Sequence, residues 1–313
     1  MSYNGNRVAI GAIYNNGNGT YSGHMRVYDW NGTAWHQIGT DIEGEAGGDE
    51  SGYSVSMNND GNRVAIGTIS NNSMAQPGQV RVYDWNGTDW YQIGTSIYGD
   101  AVSIWTGWSI SMSNNGNRIA ISTYKNSGNG ENSGHVRIFE WDGTDWHKIG
   151  NDIEGEAAND FSGESVSISN NGNRVVIGAT FNKSNGVNSG HARVYEWNGT
   201  DWYQIGNDIE GEAGGDYSGQ SVSIGKDGNR VTIGAIWNGS NGTKSGHARV
   251  YDWNGTDWLQ IGDDFEGEAG GDQSGYRVTM SKDGTRVTIA AIYNNGNGGD
   301  SGHVRVYQLP EPE

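Results

Sequence analysis

Short runs of alternating polar and apolar residues recur along the chain, and no stretch carries the 3.6-residue period of an amphipathic helix. Ser54-Val55-Ser56-Met57 and Ser165-Val166-Ser167-Ile168 alternate strictly, as half-buried strands do. A second run follows each, as in Arg63-Val64-Ala65-Ile66-Gly67. Only a few Asn, Asp and Gly residues separate the two, such as Asn170-Asn171-Gly172-Asn173. These residue types tolerate positive φ, so the segment reads as a tight hairpin. A third run, His24 to Trp30, and a fourth, Trp35 to Gly39, flank the hairpin dipeptide Asn31-Gly32. That dipeptide recurs at Asn86, Asn198 and Asn254, with Asp142-Gly143 in the third copy.

The whole pattern repeats. Aligned on Gly-Asn-Arg-Val-x-Ile and its close variants, the copies begin at Gly5, Gly61, Gly116, Gly172, Gly228 and Gly284, which are 55 or 56 residues apart. A four-stranded antiparallel meander at this period predicts an all-β fold, a β-propeller of about six blades. One domain is expected over residues 1–309, followed by a Pro/Glu tail at 310–313. The two terminal blades are expected to be incomplete. Met1 to Gly5 aligns with the end of a first strand, and Val304 to Leu309 is a third strand that runs into Pro310. The meander also sorts its loops. The two short hairpins lie at one edge, while the long loops, from second to third strand and from fourth strand to the next copy, share the other. Binding residues concentrate on loops carried by a rigid scaffold, so the long-loop edge is where a site is expected.

Composition narrows the function. A chain with 53 Gly, 3 Pro and 33% hydrophobic residues would suit disorder, but 13 Trp and 16 Tyr at periodic positions can build a core. A net charge of −18 disfavours nucleic acid and anionic membranes as partners and leaves cations as natural small ones. With no Cys there is no disulfide framework, thiol catalysis or Cys-based zinc site. No run of 18 apolar residues could insert into a membrane, and the N-terminal residues lack the pattern of a signal peptide.

Ser162-Gly163-Glu164-Ser165-Val166-Ser167-Ile168-Ser169, then Gly172-Asn173-Arg174-Val175-Val176-Ile177-Gly178-Ala179, then Gly190-His191-Ala192-Arg193-Val194-Tyr195, resembles the FG-GAP repeat. That repeat builds the propeller of integrin α subunits and of many secreted proteins. The resemblance extends copy by copy over nearly the whole chain. It implies a propeller used for recognition or adhesion outside the cell. The chain departs from the family twice: Phe-Gly is replaced by Ser51-Gly52 or Thr106-Gly107, and the integrin-type calcium loop is cut to a turn that keeps only Asp60, Asp227 or Asp283. The resemblance therefore carries no calcium site at that turn.

The linker between copies offers candidate metal ligands of its own. Glu-x-Glu-x-x-x-Asp occurs as Glu43, Glu45 and Asp49, and as Glu154, Glu156 and Asp160. It recurs as Glu210, Glu212 and Asp216, and as Glu266, Glu268 and Asp272. Three carboxylates in seven residues of a Gly-rich loop suit Ca²⁺, which takes six to eight oxygens in flexible geometry; a solvated acidic loop is the alternative. The Arg recurring in the third strand (Arg26, Arg81, Arg137, Arg193, Arg249, Arg305) is expected to partner these acids. The His before it (His24, His135, His191, His247, His303) is expected to pack or hydrogen-bond.

The second copy breaks the pattern. Its loops carry Met74 and Gln76, then Tyr98, Trp105 and Trp108 in place of the Glu pair, a composition suited to a protein hot spot or a sugar-stacking surface. Sequons occur at Asn18, Asn31, Asn71, Asn86, Asn182, Asn198, Asn238, Asn241 and Asn254, compatible with a glycoprotein. Nearly every charged residue is matched in other copies, so no unmatched nucleophile–base set or carboxylate pair marks catalysis. The expectation is a non-enzymatic extracellular or cell-surface recognition propeller, with Ca²⁺ as a possible cofactor, binding a protein or glycan on its long-loop face. Two alternatives stay open: a structural protein that self-associates through incomplete end blades, and a multivalent lectin.

Overall fold

The computed structural model describes residues 1–69, 77–102, 104–281 and 283–311. It contains six antiparallel sheets, the blades of a β-propeller, and no helix among the described residues. The chain divides into two compact units, Met1–Asn126 with His135–Asp152, and Ser127–Gly134 with Ile153–Glu313.

In the first unit, blade one holds strands Arg7–Ala12, His24–Trp30, Trp35–Gln37 and Ile42–Glu43. Blade two holds Ser54–Met57, Arg63–Thr68, Gln79–Trp85, Trp90–Gln92 and Ile97–Tyr98, and blade three begins with Thr106–Met112, Arg118–Thr123, His135–Trp141 and Trp146–Lys148. In the second unit, blade four holds Ser165–Ile168, Arg174–Ala179, His191–Trp197, Trp202–Gln204 and Ile209–Glu210. Blade five holds Ser218–Ile224, Arg230–Ala235, His247–Trp253, Trp258–Gln260 and Phe265–Glu266; blade six holds Ser274–Met280, Arg286–Ala291 and His303–Gln308.

The expected meander forms, with one addition. The fourth strand is only three residues long and covers half of the third, as Trp202–Gln204 pairs with Tyr195–Trp197. The start of the third strand would be left with unpaired backbone groups. The outgoing linker supplies the missing partner: Ile209–Glu210 returns along it, placing Glu210 opposite His191. The first Glu of each acidic triple thus sits on a strand rather than in a free loop.

The strand faces pack sheet on sheet within each unit. In the first, Val80, Val82, Ile93 and Ile97 of blade two meet Ile110, Met112, Ile119, Ile121 and Trp146 of blade three. In the second, Val194, Ile205 and Ile209 of blade four meet Val222, Ile224, Val231, Ile233 and Trp258 of blade five. Each fully buried aliphatic side chain contributes about 1.5–3 kcal/mol. Around each Asn-Gly hairpin, two Trp rings from the third and fourth strands face one another, as Trp253 and Trp258 do at 5.2 Å. The turn itself is held by its Asn: Asn254 Oδ1 accepts the backbone N–H of Thr256 and Asp257, both at 2.8 Å.

Charged groups seal the same seams. Arg63 forks onto Asp84 across the strand pair, donates to the Gly116 carbonyl of blade three at 3.0 Å and lies 5.5 Å from the Trp141 ring. Arg230 repeats the device with Asp252 and the Gly284 carbonyl. Glycine is the last residue but one of the second strand in blades four and five because neighbouring backbones nearly touch there: a Cβ on Gly234 would lie 2.1 Å from the Gly275 oxygen, and one on Gly178 2.0 Å from the Gly219 oxygen.

Gly234→Ala is therefore expected to force two blades apart and cost about 1–3 kcal/mol of stability, the usual range for overpacking. Gly299→Ala, which meets nothing within 4 Å, is expected to change stability by less than about 0.5 kcal/mol. Denaturant midpoints of the two variants compare the two sites directly.

Candidate functional site

The two sets of long loops are tied to one another. Asn18 Nδ2 donates to the carbonyls of Gly44 and Glu45, both at 2.9 Å. Asn185 does the same to Gly211 and Glu212, and Asn241 to Gly267 and Glu268. One-residue parallel bridges join the pairs again, at Gly23–Ser51, Gly190–Ser218 and Gly246–Ser274. The loop from second to third strand is thus a splint for the linker that follows. Its recurring Asn-x-Gly/Ser-Asn-Gly-x-x-Ser-Gly-His pattern was the overlooked sequence signal for this role.

The acidic triples do not close on themselves. Asp160, Asp216 and Asp272 are buried, and each accepts the amide N–H of its linker alanine (Ala157, Ala213, Ala269) and the side-chain amide of Asn182, Asn238 or Asn294. Asp49 accepts from Ala46, and burial raises its pKa. The second Glu faces forward. Glu45 accepts from Gln79 at 2.7 Å, Glu156 from Asn182, and Glu212 from Asn238, while Glu268 pairs with Arg305 at 2.7 Å. The first Glu offers its backbone: Arg81, Arg193 and Arg249 donate to the carbonyls of Glu43, Glu154 and Glu210. Glu266 stands opposite His247 on its two-residue strand, and burial raises its carboxyl pKa. The acids therefore meet across linkers. Glu156 from one linker and Asp208 from the next gather on His191; Glu212 and Asp264 gather on His247. Asp208 and Asp264 were not among the sequence candidates, because a ligand set split across copies leaves no local spacing to read.

Burial sets the charge states here. The side chains of His191 and His247 are 1% and 0% exposed. Burial lowers the His247 pKa, with the Arg249 guanidinium second. His191 at 3.5 Å holds the Asp208 carboxyl below its usual range, whereas burial raises the Glu210 carboxyl. In blade three, burial and then the Arg137 charge push His135 down to about 4, although Asp152 and Asp100 oppose them.

The aromatic candidates divide. Trp105, in the left-handed region at φ 55°, and Trp108 stack with Tyr124: the centroids lie 5.4 Å apart for the Trp pair and 4.5 Å for Trp108–Tyr124. Tyr53 packs on Trp108 at 4.7 Å, and the Lys125 ammonium sits 3.4 Å over Trp105. All five side chains are half-buried. Tyr98 lies apart on its strand, opposite Gln79 and exposed, and its carbonyl accepts from Arg137. Met74 and Gln76 fall outside the described residues. The position of Trp105 is also aromatic in later copies, as Phe161 and Tyr217, both at positive φ. There the rings tilt rather than stack: Phe181–Tyr217 meet at 81° and Tyr217–Trp237 at 59°. The parallel stack distinguishes the first unit.

An FG-GAP repeat model matches residues 154–195, which run from the linker through the third strand of blade four. No curated protein matches the chain. Among solved structures, the chain is similar to the β-propeller domain of the Trilobed protease from Pyrococcus furiosus, described as having an open velcro topology. That match has 14% identity and a TM-score of 0.57, and covers 97% of this chain and 78% of that one. The Dos1 propeller matches at 14% identity and TM-score 0.53, over 92% and 63% of the respective chains. A candidate 6-phosphogluconolactonase from Bacteroides uniformis matches at 12% identity and TM-score 0.51, over 98% of both chains. At these identities the likeness shows the propeller fold alone, and residues 154–195 are similar to an FG-GAP repeat.

Two outcomes follow from the site's geometry. Asn182 and Asn238 are buried, and the Nδ2 of Asn18 and Asn241 each donates two hydrogen bonds. Peptide mapping of folded protein secreted from a glycosylating host is therefore expected to find glycans at none of these four, whereas the hairpin-tip Asn86, Asn198 and Asn254 are exposed. The second outcome concerns acid. His135 stays neutral in the fold down to about pH 4, while the unfolded chain takes up its proton near 6.5. Its contribution to stability is fully present above about 6.5 and is lost as pH falls through that window. His135→Gln is expected to flatten the fall in thermal midpoint between about pH 6.5 and 5.

Proposed function

We propose that this FG-GAP-like propeller is a non-catalytic recognition module that works outside the cell and holds a protein or glycan ligand on its long-loop face. The observation that carries the reading is the half-buried stack of Trp105, Trp108 and Tyr124, flanked by Tyr53 and Lys125. Rings held in a fixed stack present edges and faces without a further ordering cost on binding, which is why aromatic side chains dominate binding hot spots. The linker that carries Trp105 is tied where Gly99 donates its N–H to the Gly78 carbonyl at 2.9 Å and where the Ile104 carbonyl accepts from the Lys125 N–H at 3.1 Å. The repeated acids and histidines serve the scaffold in this reading, and no reacting group is required.

Immobilised glycans and extracellular proteins are the probes. A saturable binder is expected among them, and Trp108→Ala is expected to weaken it about 30-fold or more, the effect of losing a hot spot worth at least 2 kcal/mol. His36→Ala, at the opposite, short-hairpin edge of blade one, is expected to leave the affinity unchanged. Equal affinity in both variants, or turnover of the bound partner, would overturn the reading.

A further inference from the structure

The geometry points to two divalent transition-metal sites, one in blade four built from His191, Asp208, Glu210 and Glu156, the other in blade five built from His247, Asp264, Glu266 and Glu212. Strand register assembles each set. His191 stands directly opposite Glu210 in the sheet, and Asp208, two residues before Glu210, projects on the same face. Glu156 reaches in from the preceding linker, so that Glu156, His191 and Asp208 offer ligand atoms all within 4.8 Å of one another. His247, Glu266, Asp264 and Glu212 repeat the arrangement.

The spacing is that of co-ligands rather than of hydrogen-bonded partners. His191 Nδ1 lies 3.5 Å from Asp208 Oδ2 and 3.9 Å from Glu156 Oε2. His247 Nδ1 lies 3.3 Å from Asp264 Oδ2 and 3.8 Å from Glu212 Oε2. A good N–H···O bond would be about 2.9 Å. Ligands about 2.1 Å from a tetrahedral ion stand about 3.4 Å apart. Each set also holds buried polar atoms without a hydrogen-bond partner, Nδ1 of His191 with Oε2 of Glu210, and Nδ1 of His247 with Oε2 of Glu266. An ion bound between them would satisfy these atoms at once, where otherwise each carries a desolvation cost.

Charge selects these two sets from the four similar ones. In blade one Arg26 already occupies Asp41 at 2.7 Å. In blade three Lys148 pairs with Asp152, and Arg137 with Asp100. Asp208 and Asp264 are held instead by the neutral amides of Gln204 and Gln260. Arg193 and Arg249 stand off at 3.5 and 3.8 Å, on the outer oxygens of Glu156 and Glu212, leaving the inner oxygens toward the histidine. Three carboxylates against one guanidinium leave each site about two charges negative. The imidazole decides the ion: nitrogen with carboxylate oxygen suits zinc and its neighbours, whereas calcium prefers six to eight oxygens.

The test is equilibrium binding of Zn²⁺ to the chelator-stripped full chain, with Ca²⁺ as the comparison and Co²⁺ as an optical probe of nitrogen coordination. Two ions of Zn²⁺ per chain are expected. Asp208→Asn and Asp264→Asn are each expected to remove one, with affinity at that site falling at least about 100-fold, since loss of even an outer-shell partner costs 10- to 100-fold. These aspartates are partly exposed, so the variants are expected to keep the circular dichroism of the unchanged protein; His191→Gln and His247→Gln provide the second pair. Zn²⁺ binding that both Asp variants retain would overturn the proposal. So would a thermal shift given by Ca²⁺ and not by Zn²⁺, or binding that is lost only in His24→Gln.

Discussion

The third-strand arginine is the contact on which the long-loop face depends. Arg81, Arg193 and Arg249 are about 5–6% exposed, and each donates to a backbone carbonyl of the linker that enters its blade, at 2.6–2.9 Å. A guanidinium taken out of water needs acceptors close by, because breaking a buried pair costs about 3–5 kcal/mol. The linker is therefore held where it can offer both a carbonyl and the second Glu of its acidic triple. Its return strand, its buried Asp and its two Glu side chains take their places from that requirement.

A second restraint comes from the preceding blade. The Asn that donates to two successive linker carbonyls, and the parallel bridge just before the Ser-Gly step, pin the same segment from the other side. Backbone that would be mobile in an ordinary loop has its hydrogen bonds assigned residue by residue. Rigid linkers explain how a chain with 53 Gly and only 33% hydrophobic residues keeps a defined face. They also explain why polar groups can be stranded there: once the arginine, the histidine and the return strand are placed, His191 and Glu210 keep buried atoms without partners.

The two proposals draw on different consequences of this arrangement. The aromatic stack belongs to the first unit, where Trp108 and Tyr124 stand at the places held by Glu164 and Thr180 in blade four. The histidine–carboxylate sets belong to the second unit, where glutamine rather than a cation holds the aspartate. Loss of metal from blades four and five would leave the recognition reading standing, and loss of ligand at Trp108 would leave the metal reading standing.

Alternation in Ser165-Val166-Ser167-Ile168, the Asn-Gly hairpins and the 56-residue period were enough to determine an all-β propeller. These are local properties: which face a strand buries and where a turn can form are decided within about ten residues. The site was legible only in part. The sequence marked the acids Glu156, Glu212 and their counterparts, and the stacking pair Trp105 and Trp108, because composition changes there. It did not show which acids from different linkers come together. Glu156 and Asp160 both accept the Asn182 amide, but it is Asp208, about fifty residues further on, that joins Glu156 at His191. That grouping depends on which residue of a return strand faces which residue of the third strand. A two-residue strand such as Ile209–Glu210 has no period of its own to read. Only the packed sheet, with the buried arginine holding the linker against it, decided which carboxylates share a histidine.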